Sequence, residues 1–273
     1  MSRLWWRRLA LGLPTILGLK PRGYFIPYRR AGDLPPAAGY GALERYFAAA
    51  AEVMRARIRA LEGLPASPRL ARWDQYWFAR MDAAIAYSLV RDRAPRRIVE
   101  VGSGHSTRFL AEAIADGGLT TELLAIDPEP RAEIAGTGAH RIKLPVPACG
   151  QTPFARLAAG DLLFIDSSHV LMPGSDVDFL VNRVLPSLRP GTLVHFHDIF
   201  LPDPYPPAWE WRGYNEQLVI AALIAGGAWR ILFSSRYAAT RMADEVEKSA
   251  LAQLPLPEGA FESSLWLERT SLP

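Results

Sequence analysis

Apolar residues recur at two periods along this chain, and the change between them divides it. From Tyr40 to Leu61 the positions Leu43, Phe47, Ala50, Met54, Ile58 and Leu61 fall three or four apart, which predicts one amphipathic helix. Trp77, Met81, Ala84, Ile85 and Leu89 repeat the pattern and predict a second helix over Trp73–Arg91 with these side chains facing in. From Arg97 onward the pattern becomes short, nearly continuous apolar runs: Arg97–Val101, Glu122–Ile126, Arg141–Leu144, Asp161–Ile165, Thr192–Phe196, Trp229–Phe233 and Ser264–Glu268. Runs of that length, rich in β-branched and aromatic residues, read as strands covered on both faces. Helical stretches separate them, among them Asp178–Leu188 and Asn215–Ile224. Such alternation predicts an α/β fold with a doubly wound, mostly parallel sheet and an N-terminal helical extension.

The same pattern divides the chain into an N-terminal basic and apolar arm (1–38), a helical cap (39–94) and a sheet domain (95–273). In the arm, Trp5, Trp6, Arg7 and Arg8 precede an apolar run, Leu9–Leu19, broken by Gly12, Pro14 and Gly18. That run is too short to span a bilayer. Three readings of it stay open. One is a signal peptide, although Lys20-Pro21-Arg22 makes a poor cleavage site. Another is an interfacial anchor through residues 1–20, peripheral to the inner membrane face. The third is an arm packed on its own domain or on a second subunit of a homo-oligomer. Pro21–Ala38 reads as extended irregular chain.

Charge sharpens this division. The chain of 273 residues has a formal net charge of +3, yet every charged residue from Met1 to Gly32 is basic, with no acid until Asp33. The rest is slightly acidic, which argues against a nucleic-acid groove on the sheet domain. The single cysteine, Cys149, excludes an internal disulfide framework and a four-cysteine zinc site, and fits a reducing cytoplasm.

Polar residues gather where the apolar runs end, and ligands of open α/β sheets bind outside the carboxyl ends of strands. The first run ends in Gly102-Ser103-Gly104, whose glycines permit a tight turn against a ligand. The amides of Ser106 and Thr107 would open a helix with its positive end toward that ligand. A dinucleotide fingerprint wants Gly or Ala where Thr107 stands. Glu100, two residues before the first glycine, is placed to reach a ligand's ammonium group. Both features favour S-adenosylmethionine over a dinucleotide. The second run ends in Asp127, an acid suited to two ribose hydroxyls. The fourth ends in Asp166-Ser167-Ser168-His169 and the fifth in His197-Asp198.

Glu100-Val-Gly-Ser-Gly-His-Ser-Thr107, Ile126-Asp127, Phe164-Ile-Asp166-Ser-Ser-His169 and Val194-His-Phe-His-Asp198 together resemble the class I S-adenosylmethionine-dependent methyltransferases. The sub-group resembled is the bacterial small-molecule O-methyltransferases of the macrocin type, from about the second helix to the C-terminus. The resemblance implies a Rossmann-like seven-stranded sheet of order 3-2-1-4-5-7-6 with an antiparallel seventh strand. It implies cofactor contacts at Glu100, Gly102, Ser103, Gly104, Ser106, Thr107, Asp127 and Asp166, and a small-molecule or glycan hydroxyl as acceptor. In metal-dependent members, the strand-four Asp and an acidic pair after strand five hold a divalent ion, Mg²⁺ or Mn²⁺, and a His three residues after that Asp is the base. Asp166, Asp198 and His169 match these positions, which implies a catalytic role for His169 and Asp166 and a metal on Asp166, His197 and Asp198. His197 stands where the family has Glu; an imidazole there shifts the preference toward Mn²⁺, Fe²⁺ or Zn²⁺, or leaves no metal.

Each singled-out residue also has a plainer role. His169 could cap its loop. His195 is expected to alternate away from His197 as a core histidine, and His105 to bond backbone. Asp176 and Asp178 read as helix-start acids. Trp209, Trp211, Tyr214 and Asn215-Glu216-Gln217 suit a substrate wall or a packed loop. Two rival functions stand beside the methyltransferase: a nicotinamide-dependent oxidoreductase, and a non-catalytic membrane-associated scaffold on the same fold.

Overall fold

The computed structural model describes residues 2–20, 33 and 39–271. The expected irregular stretch Pro21–Ala38 lies, except for Asp33, outside the described residues. In chain order the elements are α1 (Arg3–Arg7) and α2 (Leu13–Ile16), joined by a π-helical turn at Arg8–Gly12, then α3 (Glu44–Ala49), α4 (Ala51–Arg59) and α5 (Arg80–Arg93). The sheet region follows with β1 (Arg97–Val101), α6 (His105–Asp116), β2 (Glu122–Ile126), β3 (His140–Ile142), α7 (Val146–Cys149), β4 (Leu162–Ile165) and α8 (Asp176–Phe179). It closes with β5 (Leu193–Phe196), α9 (Glu216–Ala225), β6 (Trp229–Ser234), α10 (Ser235–Arg241), α11 (Ala243–Glu247) and β7 (Leu265–Arg269).

The strands form one sheet of order β3-β2-β1-β4-β5-β7-β6. The pairs from β3 through β5 are parallel, and β7 runs antiparallel to both β5 and β6. Central strands β4 and β5 are buried at every residue, which is why they read as unbroken apolar runs. The register Val101↔Ile126 and Val101↔Ile165 brings the ends of β1, β2 and β4 level, so their following loops meet at one edge.

The helical cap shares its core with the sheet. Phe47, Met54 and Ile58 on the predicted stripe are buried and join the same apolar cluster as Val99, Phe164 and Phe233. The second helix starts at Arg80, not Trp73. Before it, side chains take over the backbone bonding: the Phe78 amide donates to Gln75 Oε1 (2.8 Å) and the Trp73 indole to Pro65 O (2.9 Å). Trp77 is consequently exposed instead of facing the core, and stacks on His105 with centroids 5.5 Å apart. α5 is buried from Met81 to Val90 on all faces, and Ala83, Ala84 and Ala86 let it lie close against α6. The helix expected over Asp178–Leu188 is α8 continued by a π turn and a 3-10 turn; Pro186, which has no N–H to donate, interrupts its ladder. Helices α10 and α11 had no predicted counterpart.

Candidate active site

Gly102 turns the chain at the end of β1 with φ +77°, and a Cβ at this position would stand 1.9 Å from the Asp166 carbonyl oxygen. Close approach of the β4 end therefore demands glycine here. Gly104 precedes α6 at φ +153°. Beneath the loop lies Glu100, fully buried, whose two carboxylate oxygens accept from Ser106 Oγ and Thr107 Oγ1, both at 2.6 Å. Thr107 Oγ1 in turn accepts from the Gly104 amide (2.9 Å). The expectation that Glu100 reaches toward a ligand meets a different geometry: Glu100 fastens the first turn of α6 to β1, and its oxygens are committed there.

Burial pushes the Glu100 carboxyl up to about 8, against the lowering effect of the two hydroxyls. The folded chain then holds a proton that an unfolded glutamate loses near about pH 4.3. Stability should fall as pH rises through that window and level off above it, by up to about 1.4 kcal/mol per pH unit. Thermal melts at several pH values should show stability falling more steeply with pH in the wild type than in Glu100→Gln, the difference being the share of Glu100. Equal slopes in the two proteins would refute it.

A cavity of roughly 380 Å³ opens at the carboxyl ends of β1, β2 and β4, within the range of small-molecule sites. Gly102, Ser103, Asp127 and Asp166 line its polar side, and Ile126 and Val146 its apolar side. Asp127 joins the glycine loop to its own turn: Oδ2 accepts from Ser103 N (2.6 Å) and Ser103 Oγ (3.1 Å), and Oδ1 from Glu129 N (2.7 Å). Ser106 and Thr107 stay beneath the loop, bonded to Glu100, and do not line the cavity.

Beyond Asp166 the cavity meets a buried cluster. His169 Nε2 lies 3.2 Å from Asp166 Oδ1 and 3.5 Å from Asp198 Oδ2, while its Nδ1 is 2.9 Å from Glu216 Oε2. His169 and Asp198 both adopt left-handed backbone, φ +60° and +55°. Positive φ in non-glycine residues tends to concentrate at functional sites. Burial works to lower the His169 pKa, but the bonds to Asp166 and Glu216 and the charge of Asp198 prevail and hold it well above the ordinary value.

One ligand atom each from Asp166, His169 and Asp198 can be chosen so that all lie within 4.8 Å of one another, a spacing a cation can bridge. The sequence reading put His197 in this set and kept His169 apart as base; in the structure both imidazoles border Asp166 and Asp198, and His169 supplies the third atom of this set. His197 instead sits between three carboxylates, with Nδ1 3.5 Å from Asp166 Oδ1 and 3.4 Å from Asp198 Oδ1, and Nε2 3.4 Å from Asp82 Oδ2. Burial opposes its charge, yet Asp198 and Asp166 hold its pKa well above the usual value. The fit of a metal is supported by His169 Nε2, which is buried and stands 3.2 Å and 3.5 Å from Asp166 and Asp198 without a hydrogen bond of good alignment to either. His195 does not face away from His197: residues two apart in a strand share a face, and the rings lie 6.1 Å apart. It is a neutral core residue, lowered by burial and by His197, with Nε2 2.9 Å from Ser264 Oγ.

Three contributors escaped the sequence reading. Asp82 accepts from the amides of Ser263 and Ser264, and an acid inside the apolar run of α5 was its only signal. Glu216, assigned to a polar lip, is buried against His169; nothing local distinguishes it from a helix-start acid. Arg131 lines the cavity, its charge upheld against burial by Asp166 and Asp198. The aromatic residues after β5 form a cluster beside the site: Tyr214 lies 4.6 Å from His169 between centroids, and Trp209 and Tyr205 pack edge-on to Tyr214. Asp176 is a helix-start acid, as expected, and accepts from the Ser168 amide (2.8 Å).

A mostly parallel sheet whose antiparallel last strand enters beside the sixth departs from the 3-2-1-4-5-6 dinucleotide order. It is the strand order that the resemblance to the class I S-adenosylmethionine-dependent methyltransferases implies, with the glycine loop after β1 and the acid after β2 in the places it implies. Residues 99–199 match a family model described as a methyltransferase domain. No curated protein matches the chain in sequence. Among solved structures, it is similar to a Podospora anserina methyltransferase bound to S-adenosylhomocysteine, at 16% identity, covering 91% of this chain and 100% of that one, with a TM-score of 0.44. It is also similar to an O-methyltransferase from Bacillus cereus in complex with S-adenosylhomocysteine, at 14% identity, 88% and 95% coverage and a TM-score of 0.43.

Proposed function

We propose that this chain transfers the S-adenosylmethionine methyl group to a hydroxyl of a small molecule or glycan, in the cytoplasm. One observation carries the reading. Asp166 belongs to both halves of the site, lining the cavity and standing 3.2 Å from His169 Nε2. A donor in the cavity and a hydroxyl at His169 would therefore be neighbours, and such positioning supplies much of the rate of a bimolecular transfer.

The acceptor oxygen attacks the methyl carbon in line with the departing sulfur, and its proton must leave. Neutral His169 accepts that proton at Nε2, because Glu216 holds Nδ1 and fixes which nitrogen faces the acceptor. Tyr214 and Trp209 close the acceptor side against water. With a divalent ion bound, Asp166, His169 and Asp198 would hold it; His169 Nε2 would then not take the proton, and the ion would instead lower the pKa of the hydroxyl and orient it. Labelled methyl transfer to a panel of hydroxyl acceptors tests the reading; failure to bind S-adenosylmethionine would end it.

Asp127→Ala should weaken S-adenosylmethionine binding by about 1–3 kcal/mol, since it strips the ribose acceptor and unpins Ser103. Titration calorimetry reads the change directly, and unaltered affinity would remove Asp127 from the cofactor site.

A further inference from the structure

Described residues 3–17 form a helical arm whose two faces differ sharply. Leu4, Leu11 and Thr15, spaced seven and four apart, are half-buried, and α1 packs against the Pro207–Arg212 turn. Trp5, Trp6, Leu9, Leu13, Ile16 and Leu17 fall on the opposite side at helical spacing and are 39% to 59% exposed. Folding alone therefore leaves six large apolar side chains in water, a patch that in soluble proteins marks an interaction surface. Arg3 and Arg7 border one edge of that face and Arg8 the other, and the sequence has no acid before Asp33. The arm is held in place: the Arg3 and Arg7 guanidinium groups each lie 5.7 Å from the Trp211 ring centroid. Trp211 belongs to the Pro207–Arg212 turn that also carries Trp209 of the aromatic cluster. No helix among the described residues is long and apolar enough to cross a membrane.

We propose that the arm is an interfacial anchor that lays the protein on an anionic lipid surface, with the acceptor side of the site turned to that surface. The apolar face enters the headgroup boundary with its tryptophans, and the bordering arginines meet lipid phosphates. A second copy fits less well, because stacking two arms would oppose arginine with arginine and supply no counter-charge.

Sedimentation of the full chain with vesicles tests this without reference to methyl transfer, so its failure leaves the proposed function standing. Each basic residue near an anionic surface is worth about fivefold in partitioning, so three arginines predict about 10²-fold stronger binding to phosphatidylcholine vesicles containing about a third phosphatidylglycerol than to phosphatidylcholine alone. Trp6→Glu with Leu13→Glu should abolish sedimentation with both vesicles while the melting temperature is unchanged, since both residues are exposed. Absence of binding to the anionic vesicles, or equal binding by the double variant, overturns the proposal. So does a concentration-dependent dimer in analytical ultracentrifugation that the double variant makes monomeric, which would give the face to a second copy.

Discussion

His169→Ala is expected to lower turnover by about 10²–10⁴-fold and to leave S-adenosylmethionine affinity nearly intact. The expectation follows from placement: His169 is fully buried in the cluster and is not part of the cavity wall, so its loss removes a proton acceptor and no cofactor contact. The pH profile adds a second readout. Asp166, Glu216 and Asp198 raise the His169 pKa despite burial, so the imidazole stays protonated past the ordinary value of about 6.5. A protonated imidazole cannot accept, so turnover should rise with pH through a limb displaced to the alkaline side. Glu216→Gln keeps the side chain's size but removes one of the raising partners, and should move that limb toward lower pH. A Glu216 that serves only to pack α9 would change stability and leave the limb where it is. Undiminished turnover in His169→Ala would remove the base from the mechanism.

A site residue is legible in the sequence where a local pattern marks it. β1 and β2 fall at their predicted bounds because fully covered parallel strands write themselves as unbroken apolar runs, and the glycine turn after β1 is equally local. The residues at strand ends, Asp127, Asp166, His169 and Asp198, were legible for the same reason: a strand end is a position in the sequence. Partners supplied across the fold were not. Glu216 reaches His169 from 47 residues away and Asp82 reaches His197 from 115, and neither carries a mark of that destination. The direction of a side chain was also illegible. Glu100 sits where a ligand contact was expected, yet two hydroxyls in the first turn of α6 draw it under the loop. The entry of His169 into the carboxylate cluster beside His197 has the same origin. The two rings meet Asp166 and Asp198 through different nitrogens, Nε2 of His169 and Nδ1 of His197, on left-handed backbone at 169 and 198 that no residue type there forces.

Asp198→Ala and a chelator are expected to converge on the same loss, about 10²-fold or more in turnover, reflecting the several kcal/mol a Lewis acid supplies to a reacting oxygen. Only the wild type should recover when metal is returned. Calorimetry in buffers of different ionisation enthalpy gives a check independent of activity. His169 is held protonated by its neighbours, so a cation taking Nε2 must displace that proton, and binding should release protons and tighten as pH rises. One nitrogen and two carboxylates favour Mn²⁺ over Mg²⁺. His197→Glu then moves the preference in a known direction. His197 now places a positive charge among Asp82, Asp166 and Asp198. Glutamate there removes that charge and adds a fourth carboxylate, so the cluster's demand for a hard cation rises and Mg²⁺ should gain more affinity than Mn²⁺. Chelator-insensitive turnover that persists in Asp166→Ala and Asp198→Ala would take the metal out of the reaction. The two aspartates would then act only through the charge they place on His169, and Asp198→Ala should shift the pH limb of turnover downward without lowering its plateau.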